Sequence, residues 1–191
     1  MNNYPSVTEI IRDAGLLSEF AIGDTEAMQR GRLVHAASHI FAKREDIDPD
    51  WLRRHHDLRG YLDGYRKFLN LSPSLNLVWA EVGMKDEQER FIGHPDQIFE
   101  CPVEKGLGLA IVDVKTGAIP SWGRLQVAGY ALLARRTFAT RQIAHRWILN
   151  LPGDGTYKLK SYDDPRDLDD FLILARAWHV KVKYIGAPTD G

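Results

Sequence analysis

The chain has 191 residues, enough for one domain of ordinary size with a real core. Hydrophobic residues make up 44% and charged residues 27%, a globular composition, and no apolar run approaches the roughly 20 residues of a membrane-spanning helix. The formal net charge of -1 argues against a protein that coats nucleic acid non-specifically, and the one cysteine, Cys101, excludes intramolecular disulfides and the four-thiolate set of an iron–sulfur cluster.

The opening MNNYPSVTEI has no basic segment followed by an apolar one, so no signal peptide is expected, and the cysteine usage points to a cytosolic-type compartment. Ser6 is placed to cap a short helix, VTEIIRD, with Glu9 at the capping-box position and Gly15 past its end. A second helix is expected from Asp24 or Thr25 through TEAMQRGRLVHAASHIFAKRE, with Asp48-Pro49 as its break. A third is expected over roughly Asp50 to Asn70, ended by Leu71-Ser72-Pro73. The pattern then changes. SLNLVWAEVGM reads as a strand, KDEQE as a turn and RFIGHPDQIFE as the returning strand of a hairpin. GLGLAIVDVKTG is a third strand, WGRLQVAGYALLARRTF a helix, and IAHRWILNL and TYKLKSY two strands around the turn PGDG. Asp163 or Asp164 caps a last helix, DLDDFLILARAWHVKVKY, before a frayed tail IGAPTDG. The order predicts one α/β domain, with a helical part over about 1–72 and a mixed sheet flanked by helices over about 73–185.

Two strand segments carry the polar residues of interest. In IVDVKTG, the side-chain alternation of a strand puts Asp113 and Lys115 on one face. A D-x-K triplet alone describes many surface strands. Here it lies inside GLAIVDV, a run that looks buried, and buried Asp and Lys are normally paired or bound to a cation. In GHPDQIF, Asp96 follows a proline, which within a strand marks an edge, a bulge or an end. If these strands are neighbours, Asp96 and Asp113 converge, and two carboxylates aimed at one place need a proton or a cation between them. Oxygen donors of this kind suit Mg²⁺ or Mn²⁺.

GHPD, then D-x-K, then Q-x-x-x-Y on the following helix resembles the motif order of the RecB-like branch of the PD-(D/E)xK nucleases, including stand-alone phage and bacterial members. The residues are Gly93, Asp96, Asp113, Lys115, Gln126 and Tyr130, preceded by GRLVH, with Gly31 and His35, on a helix. The likeness runs from about residue 5 to 130. It implies a restriction-endonuclease-like α/β core with an N-terminal helical elaboration. It also implies that His35, Asp96, Asp113 and the main-chain carbonyl of Val114 hold Mg²⁺ or Mn²⁺. Lys115 would orient water and neutralise phosphate charge, with Gln126 and Tyr130 beside it. The implied activity is phosphodiester hydrolysis, leaning towards a DNA exonuclease acting on single-stranded ends, in the cytoplasm of a bacterial or phage-infected cell. No G-x-x-x-x-G-K-[ST] motif is present, so a helicase or recombination partner would be a separate chain.

His39 lies four residues after His35 and is read as a bystander, and Glu81 as a surface strand residue or an outer carboxylate. Basic residues including Arg30, Arg53, Arg59, Arg66, Lys67, Arg124 and Arg136 are scattered over the helices with Tyr61 and Tyr65 among them, a mix able to hold phosphates and stack bases, although most charged helix positions are simply solvated faces and that is the expectation for each one taken singly. Two other classes stay open: a non-catalytic nucleic-acid-binding module on the same fold, and a metal-dependent hydrolase of a different substrate.

Overall fold

The computed structural model describes residues 4–17, 25–81 and 83–186. Helix α1, Val7–Asp13, starts at Ser6, whose hydroxyl accepts the Glu9 N–H while the Glu9 carboxylate accepts the Ser6 N–H. Gly15 follows with φ 72, the left-handed conformation that closes a helix and favours glycine. Helix α2 spans Thr25–Ala42, and the alternative start at Asp24 lies outside the described residues. The single helix expected over 50–70 is instead two, α3 Pro49–Arg54 and α4 Arg59–Leu71, joined through a 3-10 turn at His56–Leu58. Leu62, Tyr65, Phe68 and Leu69 of α4 are buried, whereas α3 contributes only the half-buried Trp51 and Leu52 to the core.

The expected hairpin forms, but each of its strands is cut in two. Strands β1 Asn76–Ala80 and β4 Gln97–Val103 pair antiparallel, and so do β2 Met84–Asp86 and β3 Phe91–Gly93, in a separate two-stranded sheet. The cuts fall at Glu81, whose φ of 50 is unusual for a residue with a side chain, and at His94–Pro95–Asp96. Strand β5, Gly106–Lys115, is followed by helix α5, Gly123–Thr137, and strands β6, Ile143–Asn150, and β7, Lys158–Ser161. The chain closes with helix α6, Arg166–Ile185. Its N-cap position is Pro165 rather than the expected Asp163 or Asp164, although the Asp164 carboxylate does accept the Arg166 N–H at 3.1 Å.

Among the described residues the main sheet has the order β1-β4-β5-β6-β7, with β5 and β6 parallel and the other pairs antiparallel. The protein is therefore α/β, a five-stranded mixed sheet flanked by helices. Strand β5 is central and buried on both faces, which is why it reads as a nearly continuous apolar run. Ala110, Val112 and Val114 pack with Val34, Phe41, Leu62 and Phe68 of α2 and α4. Leu109 and Ile111 pack on the opposite face with Ile10, Leu133 and Phe171 of α1, α5 and α6. The helical first part of the chain is thus divided between the two faces of the sheet. No helix among the described residues is long and apolar enough to cross a membrane.

Gly93 shows what sets the α1–α5 approach. A Cβ there would lie 2.7 Å from Leu133 Cδ1, 3.0 Å from Tyr130 Cε1 and 3.1 Å from Val7 Cγ2. Helices α1 and α5 close over β3 because that position lacks a side chain. Gly93→Ala is expected to destabilise the fold by about 1–3 kcal/mol through overpacking, measured by urea unfolding.

Candidate functional site

The site begins where the β4–β5 ladder ends. The last paired residues are Gln97 and Val112, so residues 113–115 run past the end of β4. There the Asp96 side chain replaces the missing strand, its Oδ2 accepting the Val114 N–H at 2.7 Å. A residue in a strand directs its N–H and C=O to the same edge, so the Val114 carbonyl faces this open edge too. Lys115 alternates to the other edge, where its carbonyl accepts the Leu151 N–H at 2.8 Å. The cut at His94–Asp96 is what turns Asp96 across to β5. A proline at the start of a strand forfeits no ladder bond, which is why Pro95 fits there.

Four ionisable groups meet at this point. His35, on α2, places Nδ1 3.4 Å from Asp96 Oδ1. Lys115 places Nζ 2.7 Å from Asp113 Oδ2, in ion-pair contact but off the hydrogen-bonding direction, and that oxygen is left without a hydrogen-bond partner. Asp113 is 1% exposed. Burial pushes its carboxyl up to about 6, with repulsion from Asp96 adding to the rise and attraction to Lys115 opposing it. Burial acts on Asp96 in the same sense, yet His35, Lys115 and the Val114 N–H together hold it below the usual carboxylate range. Burial alone would lower His35 and Lys115, but the neighbouring carboxylates, Asp96 and Asp113 respectively, hold both above their ordinary values. Two buried carboxylates thus titrate in opposite directions, side by side.

Helix α5 covers the same face. Gln126 and Tyr130 are both buried, and the Gln126 amide donates to the Tyr130 hydroxyl at 3.1 Å. The Tyr130 hydroxyl is raised by burial and then by the charges of Asp113 and Asp96, which puts it within electrostatic reach of both. The Gln126 Oε1 is buried without a partner, an acceptor facing no donor. Trp122, just before α5, holds its ring 6.0 Å from Lys115 Nζ. The structure therefore brings together His35, Asp96, Asp113, Val114, Lys115, Gln126 and Tyr130, from four separate elements.

Sequence reading missed two supports. A buried hydrogen-bond chain runs from Tyr65 Oη to Gln97 Oε1 at 2.7 Å, from Gln97 Nε2 to Ser38 Oγ at 3.1 Å, and from Ser38 Oγ to the His35 carbonyl at 2.8 Å. It ties α4, β4 and α2 together directly behind the His35–Asp96 contact. Nothing in the local pattern of Ser38 or Gln97 marks it. The second support is His39, whose Nδ1 lies 3.2 Å from Glu81 Oε2, while the Glu81 N–H donates to the Asp96 carbonyl at 3.3 Å. The four-residue spacing of the two histidines and the reading of Glu81 as an outer carboxylate were its traces, but not the pairing of the two.

Tyr65 is fully buried and so cannot stack bases. Arg53 and Arg59 are on solvated faces, paired at the surface with Asp50 and Asp63. Arg124 pairs with the buried Asp167 and Arg136 with the buried Asp86, Arg66 lies over Phe41, and Lys67 donates to the Gly155 carbonyl.

No protein-family model matches the chain, and no curated protein sequence matches it. Among the described residues, no three His, Cys, Asp or Glu side chains already stand as a group able to hold a metal ion. The carboxylates are faced by the Lys115 ammonium and by the His35 imidazole, whose proton Asp96 helps to hold. The donor set nevertheless fits a hard divalent cation: two buried carboxylates, an imidazole and a main-chain carbonyl at an open edge.

A cation held at this point would bind in a pH-dependent way. A ligating carboxylate must be ionised and a ligating imidazole neutral. Asp113 holds its proton up to about 6, and His35 holds its proton above its ordinary range. Both protons compete with a cation, so Mn²⁺ affinity is expected to rise with pH between about 5 and 8, with proton release, as read by calorimetry in buffers of different ionisation enthalpy. Affinity that is flat across this range would remove Asp113 and His35 from the ligand set.

Proposed function

We propose that this chain is a divalent-cation-dependent nuclease of the PD-(D/E)xK type, hydrolysing phosphodiester bonds of DNA and preferring single-stranded ends. The observation that carries the reading is the meeting of Asp96, Asp113 and Lys115 at the open end of the β4–β5 ladder, with His35 beside Asp96. An arrangement needed only for binding would not bury two adjacent carboxylates where phosphate is to be held. Asp96, Asp113, His35 and the Val114 carbonyl would hold Mg²⁺ or Mn²⁺, which supplies charge neutralisation at phosphorus and a more acidic water.

The chain's own groups have distinct tasks in such a reaction. Hydrolysis forms one P–O bond from water and breaks one ester P–O bond, leaving a phosphate monoester and a hydroxyl. Extra negative charge gathers on the phosphoryl oxygens in between. Lys115, held by Asp113 and charged at neutral pH, presents a compact ammonium to those oxygens. The unpartnered Gln126 Oε1 lies on the same helix face as Tyr130 and offers an acceptor that keeps Lys115 or a substrate hydroxyl in line. Trp122 beside Lys115 gives a flat apolar surface at the margin, of the kind on which an unpaired base stacks.

Incubation with end-labelled single- and double-stranded DNA in Mg²⁺, Mn²⁺ or EDTA tests the reading directly. Cleavage is expected only with the cations and is expected to vanish in Asp113→Asn. Cation-independent binding without cleavage would instead make the chain a nucleic-acid-binding module, and no interaction with DNA would point to another substrate. Gln126→Ala and Tyr130→Phe separate roles further. Both are expected to lower turnover at saturating Mn²⁺, while the Mn²⁺-induced rise in melting temperature persists. Wild-type rates in both variants would reduce this helix face to packing.

A further inference from the structure

Arg30 lies half-buried in the first half of α2, and its Nε is buried with no hydrogen-bond partner. Among the described residues it has no ion-pair partner either, whereas Arg124, Arg136 and Arg146 each face a buried carboxylate. What it does face is the ring of Tyr61 on α4, with the guanidinium carbon 5.8 Å from the ring centroid. A guanidinium carries five donors and no acceptor. Drawn partly into the protein with none of them taken by the described residues, it is a charge that the fold itself does not compensate.

Contacts on both sides place this pair beside Lys115. Gly31, the next residue of α2, lies against the turn that follows Lys115: a Cβ there would be 3.7 Å from Thr116 Oγ1. His35, one helical turn further and on the same helix face as Gly31, reaches Asp96. That face of α2 therefore runs along the site from Asp96 to Thr116, and Arg30 stands at the Thr116 end. Tyr61 is packed against Gly153, where a Cβ would lie 2.7 Å from its ring Cζ. Gly153 is two residues past Leu151, whose N–H donates to the Lys115 carbonyl at 2.8 Å. Arg30 and Tyr61 thus flank the carboxyl ends of the parallel strands β5 and β6, the end at which such sheets present ligands. Tyr61 packs with the α2–α4 layer and Trp122 with the layer on the opposite face of the sheet. A strand passing Lys115 from one layer to the other meets Trp122 on one side and Arg30 on the other.

We propose that Arg30, backed by Tyr61, holds the phosphate next to the one hydrolysed beside Lys115, so that the site grips two consecutive phosphates of a nucleic-acid strand. A nucleic-acid strand carries one negative charge per linkage, so a phosphate held at Lys115 brings its neighbours to the cations that flank it. The guanidinium is a planar fork suited to two phosphate oxygens at once, and the Tyr61 ring beside it narrows the directions in which the fork can point. The inference rests on the nuclease reading for the place of the scissile phosphate, whereas the grip itself needs no hydrolysis.

Binding of a fluorescent single-stranded DNA, read by anisotropy over a salt series at fixed Ca²⁺, tests it beside cleavage of the same DNA in Mn²⁺. Arg30→Gln is expected to weaken binding at least roughly tenfold at low salt. It is also expected to reduce the slope of log affinity against log salt by about 0.7, the value for one phosphate contact to a single strand. Arg30→Lys keeps the charge and is expected to keep the slope. Arg54→Gln removes an exposed charge from α3 and is expected to change neither quantity. Melting of each variant without DNA is the folding control. An uncharged methylphosphonate at one of the two linkages flanking the cleaved one is expected to slow the wild type and to leave the Arg30→Gln rate unchanged. A wild type that does not bind overturns the proposal. So does an Arg30→Gln slope equal to that of the wild type, and so does an equal loss in Arg54→Gln. Arg30-dependent binding without cleavage leaves the grip standing and removes the nuclease reading, whereas cleavage with binding indifferent to Arg30 does the reverse.

Discussion

The hydrogen bond from the Val114 N–H to the Asp96 carboxylate is the contact on which the rest of the site depends. Strands β4 and β5 stop pairing at Gln97 and Val112, and beyond that point β5 would present unpaired main-chain groups to the interior. A buried N–H without a partner is expensive, and a carboxylate is among the strongest acceptors that can take it. Asp96 therefore does two things with one side chain. One oxygen closes the end of the sheet and the other faces His35. This fixes the distance between the strand carrying Asp113 and the helix carrying His35, without any contact between those two residues being needed.

The charges around that bond form a balanced group. Lys115 and His35 face Asp113 and Asp96, and each member of the group is held away from the state that burial alone would impose, except Asp113, which burial wins. Removing one partner from a buried pair typically costs about 3–5 kcal/mol, because the other charge stays behind. Such a group is a poor way to stabilise a fold, and apolar side chains would serve that purpose better. It is a good way to keep opposite charges fixed and dry at one point, where a cation and an anionic substrate each find a partner ready. The unpartnered Oε1 of Gln126 belongs to the same picture, since it is a buried acceptor held in place with a hydrogen-bond vacancy.

The scaffold holds this point from both sides. Tyr65, Gln97 and Ser38 lock α2 to the sheet behind His35. On the opposite face, Gly93 lets α1 and α5 close down so that Tyr130 comes within reach of the two carboxylates. Burying a polar chain in an apolar core fixes one register among many that an oily interface would permit. The helices on either side of the sheet are in this sense parts of one device, although α1 and α2, consecutive in the chain, lie on opposite faces.

Much of this was legible in the chain itself. Alternation in β5 put Asp113 and Lys115 on one face, four-residue spacing put Gln126 and Tyr130 on one helix face, and the Ser6–Glu9 pattern marked the start of α1, because each is a local rule about neighbouring residues. Pro95 likewise announced an interruption, though not that both strands of the hairpin would be cut and shared between two sheets. What no local rule supplies is which residues far apart in sequence come to lie together. The burial of Tyr65, the pairing of His39 with Glu81 and the chain through Gln97 all follow from how α2 and α4 sit on the sheet. Backbone geometry is decided within a few residues, and the sequence carries it openly. Burial, charge pairing and the shifted proton affinities of Asp96 and Asp113 are decided by what the fold packs around them, and only the tertiary structure determines that.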